Sequence, residues 1–294
     1  RAGIVYDKTS RLYDFSNEWF QNKVRYTWPE NFAEEATVSL ACLHSLAAYP
    51  ADGRVLTDCK FLLDRVPNYI LETRATALIL AGDLIQGSKV HNLHLRGEVF
   101  QGLGLTVQER VAAYLVGQMM MKPFRVWFAE FMKDKKPEGL TKETLITALE
   151  RCLVTLIFCA GNHDLWQTGD AIRALWTFQQ DLMWFLMHEI SKTLQAYSLS
   201  IDFLTLVAFL SLKIIRDWPD AQIRYRTPAG IAIKTVHPHT ARTETASIPP
   251  EKLLAQHSLA QFVVSGNWHT AFDMQQSDEF MGLRHVVTNP TVLL

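Results

Sequence analysis

Thr155-Leu156-Ile157-Phe158-Cys159-Ala160-Gly161-Asn162-His163-Asp164 is an apolar run that ends at a glycine and then presents three polar side chains in succession. A short apolar run of bulky and β-branched residues, closed by a glycine, is the pattern of a buried strand. The glycine allows a sharp turn where the strand ends. Asn162, His163 and Asp164 then lie at a strand's carboxyl end, where open α/β sheets place their ligand sites. Asn162 brings an amide oxygen, His163 a ring that titrates near neutrality, and Asp164 a carboxylate able to orient that ring. Taken alone, the stretch is equally a strand closed by a polar turn. The other strand ends decide between the two.

Four more apolar runs finish in the same way. Residues 37–44 end in Cys42-Leu43-His44, and residues 75–81 run into Gly82-Asp83. Residues 231–236 run into His237-Pro238-His239, and residues 261–264 into Ser265-Gly266-Asn267-Trp268-His269. Between the first two lies helical spacing at Phe61, Leu62, Val66, Tyr69 and Ile70, capped by Thr57 or Asp58 and reaching about Leu71. That is a strand–helix–strand unit, which places its strands parallel. Further helices are expected over 106–133, 141–151 and 250–258, and further strands over 222–227 and 284–288. One polar strand end is the default and carries no information. Five at the same kind of position in an α/β sheet point to a site. Asp, Asn and His donors of this mix suit Mn²⁺, Fe, Zn²⁺ or Ni²⁺.

The chain has 294 residues, 48% hydrophobic and 20% charged, so it is globular rather than disordered. Residues 1–35 read as an irregular lead-in packed onto one domain spanning 36–294. That domain carries a helical insertion around 86–150 and an apolar helical segment around 170–215. Within the insertion, 86–105 is a glycine-rich loop holding His91 and His94, read as solvated loop histidines. The apolar run 199–215 contains Asp202 and Lys213 and, at about 15 residues, falls short of the roughly 20 that cross a bilayer. The expectation is no membrane span, with 172–215 as a buried helix or a homodimer face. A net charge of −1 gives no long-range pull on nucleic acid, which as a substrate would have to be held locally. Cys42, Cys59, Cys152 and Cys159 show no CxxC spacing, with Cys152 and Cys159 in one strand region. They read as reduced thiols in a cytoplasmic protein. Residues 1–20 mix polar and aromatic side chains, unlike a signal peptide, and the start at Arg1 reads as that of a fragment or processed form.

The ordered motifs resemble those of the calcineurin-like metallophosphoesterases. That family carries Asp-x-His, Gly-Asp, Gly-Asn-His-Asp/Glu, a solitary His and Gly-His-x-His, each after a strand. Here the matching positions are Cys42-Leu43-His44, Gly82-Asp83, Gly161-Asn162-His163-Asp164, His237 and Gly266-Asn267-Trp268-His269. They span residues 37–269, most of the chain. The long stretch between Asp83 and Asn162, and Trp268-His269 followed by Asn289-Pro290, look most like phage or mobile-element members.

The resemblance implies a two-sheet β-sandwich flanked by helices, with two divalent metal ions at the strand carboxyl ends. Asp83 would bridge the ions, His44 and His269 would hold the first, and Asn162 and His237 the second, with His239 a substitute for His237. A metal-bound hydroxide would attack a phosphomonoester or phosphodiester, and His163, tuned by Asp164, would protonate the leaving oxygen. Two positions depart from the family. Cys42 stands where it has Asp, and Asn267 where it has His. A thiolate favours softer Zn²⁺ over Mn²⁺, and an amide oxygen is a weak ligand. The competing expectation is therefore a degenerate member, weakly active or inactive, serving as a binding or assembly module. A nuclease is the third.

Overall fold

Alternation within two five-residue strands sets the layers of the molecule. In Ala77–Ala81, Leu78 and Leu80 face a helical core, whereas Ala77, Ile79 and Ala81 face a second sheet. In Thr155–Cys159, Leu156 and Phe158 take the first side and Ile157 the second. Strand side chains point alternately to opposite faces, so a run that is apolar throughout belongs to a strand buried on both. The computed structural model of the chain describes residues 5–7, 12–14, 25–27, 36–40, 61–85, 87, 105–165, 173–238, 248–267 and 272–288.

Strands β1 (Val5–Asp7) and β2 (Leu12–Asp14) pair antiparallel. Strands β3 (Arg25–Thr27), β4 (Ala36–Leu40), β5 (Ala77–Ala81), β6 (Thr155–Cys159) and β7 (Ile214–Arg216) form the first large sheet, in that order. It is parallel from β4 to β7, with β3 antiparallel at its edge. Strands β8 (Tyr225–Arg226), β9 (Ala232–Val236), β10 (Phe262–Ser265), β11 (Phe272–Asp278) and β12 (Gly282–Thr288) form the second, in the order β11-β12-β10-β9-β8. Its inner strands β9, β10 and β12 are parallel.

Helices cover both outer faces. Helices α1 (Val66–Thr73), α2 (Leu105–Met132), α3 (Lys142–Cys152), α5 (Trp176–Ala196) and α6 (Phe203–Lys213) share one core with Leu78, Leu80, Leu156 and Phe158. A single turn, α4 (Asn162–Leu165), lies between α3 and α5 in the chain. Helix α7 (Ile248–Gln256) packs Leu253 and Leu254 on Val236, Val263 and Val286. Between the sheets, Ala77, Ile79 and Ile157 meet Ile233, Phe262 and Val264. The result is a mixed α/β sandwich of two sheets between helical layers. Among the described residues, no helix is long and apolar enough to cross a membrane.

The helix ends follow local chemistry. The side chain of Thr141 accepts from Thr144 N at 3.2 Å at the start of α3, and Asp202 accepts from Thr205 N at 2.9 Å at the start of α6. That second cap divides the apolar run 199–215, expected as one helix. The helix ends at Lys213, and Ile214 to Arg216 pair with Leu156 to Phe158 of β6 instead. An unbroken apolar run carries no mark of a helix-to-strand change. Three further differences are local. Cys152 closes α3 instead of sharing a strand with Cys159. The lead-in contributes strand β3 to the first sheet. Strand β11, Phe-Asp-Met-Gln-Gln-Ser-Asp, has no apolar alternation because it is a solvated edge strand. Thr57, Asp58, Cys59, His91 and His94 lie outside the described residues.

A buried ion pair holds the outer edge of β9. Lys234 Nζ lies 2.6 Å from Asp217 Oδ1 and donates to the carbonyls of Trp218 at 2.7 Å and Gln222 at 3.1 Å. Neither charged side chain is exposed. Burial raises the Asp217 pKa more than Lys234 and the Thr235 amide lower it. The pair therefore adds little over an apolar substitute, whereas losing one partner strands a buried charge. Lys234→Met should lower the unfolding free energy by about 3–5 kcal/mol in urea titrations. The same test on Arg74→Ala, which breaks an exposed pair with Glu130, should show less than about 1 kcal/mol.

Burial also governs the described cysteines. It pushes the Cys152 thiol up to about 11 and the Cys159 thiol well above its ordinary value. Thiols rather than thiolates react slowly with alkylating agents. Peptide mass spectrometry after native iodoacetamide treatment at pH 7.5 should find both unmodified, and after denaturation both modified.

Candidate functional site

The ends of β5, β6, β9 and β10 meet where three glycines leave no room for side chains. A Cβ on Gly161 would stand 2.0 Å from Asp83 Oδ1, and one on Gly266 would stand 1.9 Å from the Ala81 carbonyl. A Cβ on Gly82, itself at φ +84°, would stand 2.3 Å from His237 Nδ1. Gly161 was expected to supply a sharp turn. Its φ is not in the left-handed region, and what requires glycine there is the close approach of Asp83.

This approach gathers side chains that the sequence separates widely. His237 Nε2 lies 3.2 Å from Asp83 Oδ2 and 2.8 Å from Asn162 Oδ1. His237 Nδ1 lies 2.8 Å from the Ala81 carbonyl, which can only accept, so that nitrogen carries a hydrogen. The lone pair of Nε2 then faces two oxygens. Three lone-pair donors aimed at one another repel unless a cation sits among them, either a proton on Nε2 or a metal ion. Burial pulls the His237 pKa down, but the Asp83 hydrogen bond and charge, aided by the Ala81 carbonyl and Asp164, carry it above the ordinary imidazole value. Carboxylate, amide oxygen and imidazole also form a donor set that fits a divalent transition ion.

His163 and Asp164 occupy the single turn α4. The His163 amide donates to Asp83 Oδ1 at 3.0 Å, which fixes the carboxylate, and the His163 side chain is buried. Asp164 accepts amides from Gly161 at 2.7 Å, Ile85 at 3.1 Å and Leu84 at 3.3 Å. Its carboxylate thus ties the segment after β5 to the one after β6. Burial and then the Asp83 charge push its pKa up, against the pull of the Gly161 and Ile85 amides.

Asn267 sits at φ 69°, a conformation asparagine tolerates, and its amide donates to the Pro238 carbonyl. The structure thus brings together Asp83, Asn162, His163, Asp164 and His237, with Asn267 tied alongside them to the segment that follows β9. Cys42, His44, His239 and His269 lie outside the described residues. Among the described residues, no three His, Cys, Asp or Glu side chains are placed to hold a metal ion together, and the third donor at the centre is the Asn162 amide. No family model matches the chain, and no curated protein matches it.

Beside His237 lies a cavity of about 430 Å³ that reading the sequence did not locate. Its wall includes Arg216, Trp218, Thr235 and His257 from β7, the segment after it, β9 and the end of α7. None of these forms a motif. The only sequence signal was the polar break at residues 216–220.

Gly161→Ala should displace the Asp83 carboxylate and cost about 1–3 kcal/mol, the range for overpacking. Gly139→Ala, where an added methyl meets nothing within 4 Å, is the control and should leave the thermal melt unchanged.

Proposed function

We propose that this chain is a metal-dependent phosphoesterase of the calcineurin-like metallophosphoesterase kind, hydrolysing a phosphomonoester or phosphodiester. The observation that supports this most directly is the convergence of Asp83, Asn162 and His237 lone pairs within 3.2 Å, from three separate strand ends. Asp83, Asn162 and His237 would hold a divalent ion. Such an ion supplies Lewis-acid polarisation of the ester and an activated water at neutral pH. His163, one residue beyond Asn162, serves as the proton donor to the leaving oxygen. Its backbone bond to Asp83 couples the acid's position to that of the carboxylate. Asp164 keeps the two loops in register by holding three amides.

A second reading has its own support. The Asn267 side-chain amide is committed to the Pro238 carbonyl, and α5 and α6 expose Trp184, Phe203, Leu204 and Leu212. Both features suit a member that binds or assembles without turnover. The two readings part on metal content and hydrolysis.

Elemental analysis after dialysis, together with hydrolysis of bis-p-nitrophenyl phosphate in Mn²⁺ or Zn²⁺, separates them. We expect metal-stimulated turnover, lost at least 100-fold in Asp83→Asn and His237→Gln, and a drop in kcat of about 10²–10⁴-fold in His163→Ala. Stoichiometric metal with no hydrolysis, unchanged by Cys42→Asp combined with Asn267→His, favours the binding module. Turnover that His163→Ala leaves intact overturns the role given to that histidine.

A further inference from the structure

We propose that helix α6 is a self-docking surface: two copies of the chain pair through it, antiparallel, about a two-fold axis beside Ala208. The inference stands apart from the reading of the site and holds whether or not the chain hydrolyses an ester.

Helix α6, Phe-Leu-Thr-Leu-Val-Ala-Phe-Leu-Ser-Leu-Lys, is apolar at every position except Thr205, Ser211 and Lys213. A helix apolar all round is a helix covered all round. Within the chain only one side is covered, where Leu206, Phe209 and Leu210 enter the helical core. The opposite side carries Leu204, Ala208, Ser211 and Leu212, all exposed and at the i, i+4, i+7, i+8 spacing of one helical stripe. Leu204 is 75% and Leu212 73% exposed. The apolar surface continues onto α5, where the exposed Trp184 ring lies 6.2 Å from that of the exposed Phe203. Apolar side chains gathered in this way mark an interaction surface, whereas single ones do not.

The charges choose the occupant. The stripe itself holds none, and its two ends hold opposite signs. Asp202 caps the first turn of α6, and Lys213 closes the last. A parallel copy would set Asp202 on Asp202 and Lys213 on Lys213. An antiparallel copy sets Asp202 of each chain by Lys213 of the other, and sets opposite ends of the two helix dipoles side by side. A two-fold contact must be complementary to itself. About an axis at Ala208, Leu204 of each copy lies level with Leu212 of the other, and the small residues Ala208 and Ser211 between them let the helices approach. A bilayer surface suits this face less well. Helices that lie in a membrane interface carry Lys and Arg along their polar side. Residues 173–213 hold three basic residues, Arg173, Lys192 and Lys213, against three acidic ones, Asp181, Glu189 and Asp202.

The test is sedimentation equilibrium of the full chain over a dilution series, with disulfide trapping to read the register. We expect a species of twice the chain mass that dissociates on dilution. Leu204→Glu puts two like charges into the contact and should raise the dissociation constant by about tenfold or more, with an unchanged far-ultraviolet circular dichroism spectrum. Under mild oxidation, Leu204→Cys mixed with Leu212→Cys should give a disulfide-linked dimer, and Leu204→Cys alone should not. A monomer at every concentration overturns the inference, as does a dimer that Leu204→Glu leaves intact. Cross-linking of Leu204→Cys alone overturns the antiparallel arrangement. A monomer that floats with phosphatidylserine vesicles, and loses this on Leu204→Glu, overturns the second copy as the occupant in favour of a membrane surface.

Discussion

The close approach of Gly161 to Asp83 is the constraint from which the site follows. With 2.0 Å between an imagined Cβ and Asp83 Oδ1, the β5 and β6 ends can meet only if residue 161 has no side chain. That contact lets the His163 amide reach the same oxygen and lets Asp164 receive amides from both strand ends. Gly82 and Gly266 do the same for His237, which enters from the other sheet. Removing side chains at three positions lets polar groups from both sheets share one point. Asp83, His163, Asp164 and His237 are buried there, and Asn162 is half-buried. The cost is a cluster of like-charged and lone-pair atoms in low dielectric, which a cation relieves.

Elements far from that point hold the neighbouring cavity open. Strand β8 pairs with the start of β9, at Ile233 and Ala232, and among the described residues no strand flanks the later part of β9 on that side. Asp217 fills the role, accepting the Thr235 amide at 2.8 Å and the Lys234 ammonium. The segment from Asp217 to Gln222 is thereby fixed against β9 without a ladder, and Trp218 is carried to the cavity wall. Across the cavity, Arg284 satisfies the last carbonyls of α7 and the turn after it, at Leu254, His257 and Ala260. A buried guanidinium with three carbonyl partners makes a rigid stop for a helix that carries no basic residue in its last turn. Two buried cations, one at each side, do the work that apolar packing does elsewhere in the sandwich.

The central strands were legible because burial on both faces favours apolar residues at most positions, and short runs of that kind stand out at 77–81, 156–159 and 262–264; 232–236 is interrupted by Lys234 and Thr235. The polar residues after them were legible for the same reason: they break the run. What escaped was anything whose logic lies in another segment. Strand β7 was hidden inside an apolar run whose first part is helix, and only pairing with β6 distinguishes Ile214. Strand β11 was hidden by its own solvent exposure. Thr235 and His257 looked like a strand threonine and a helix-end histidine, and their unpaired atoms show only when the walls are assembled. The role of Gly161 was misjudged for a related reason. Sequence shows that a glycine is present but not whether its backbone angle or its missing Cβ is needed.

Asp164 illustrates how far the position of a motif residue determines its task. As a neighbour of His163 it suggested a carboxylate tuning an imidazole. In the fold its two oxygens receive three amides from two loops, an arrangement that favours the ionised form, while burial and Asp83 oppose it. Two acidic groups this deeply buried need positive charge nearby, and the described residues provide it as His237. Proton and metal ion are then competitors for one lone pair on Nε2. If a proton takes it, His237 is an imidazolium bridging Asp83 and Asn162, and the cluster is structural. If an ion takes it, the same three groups become ligands and the proton is released. The geometry of the strand ends is common to both states, which is why the motif specifies the assembly of the cluster more firmly than its occupancy.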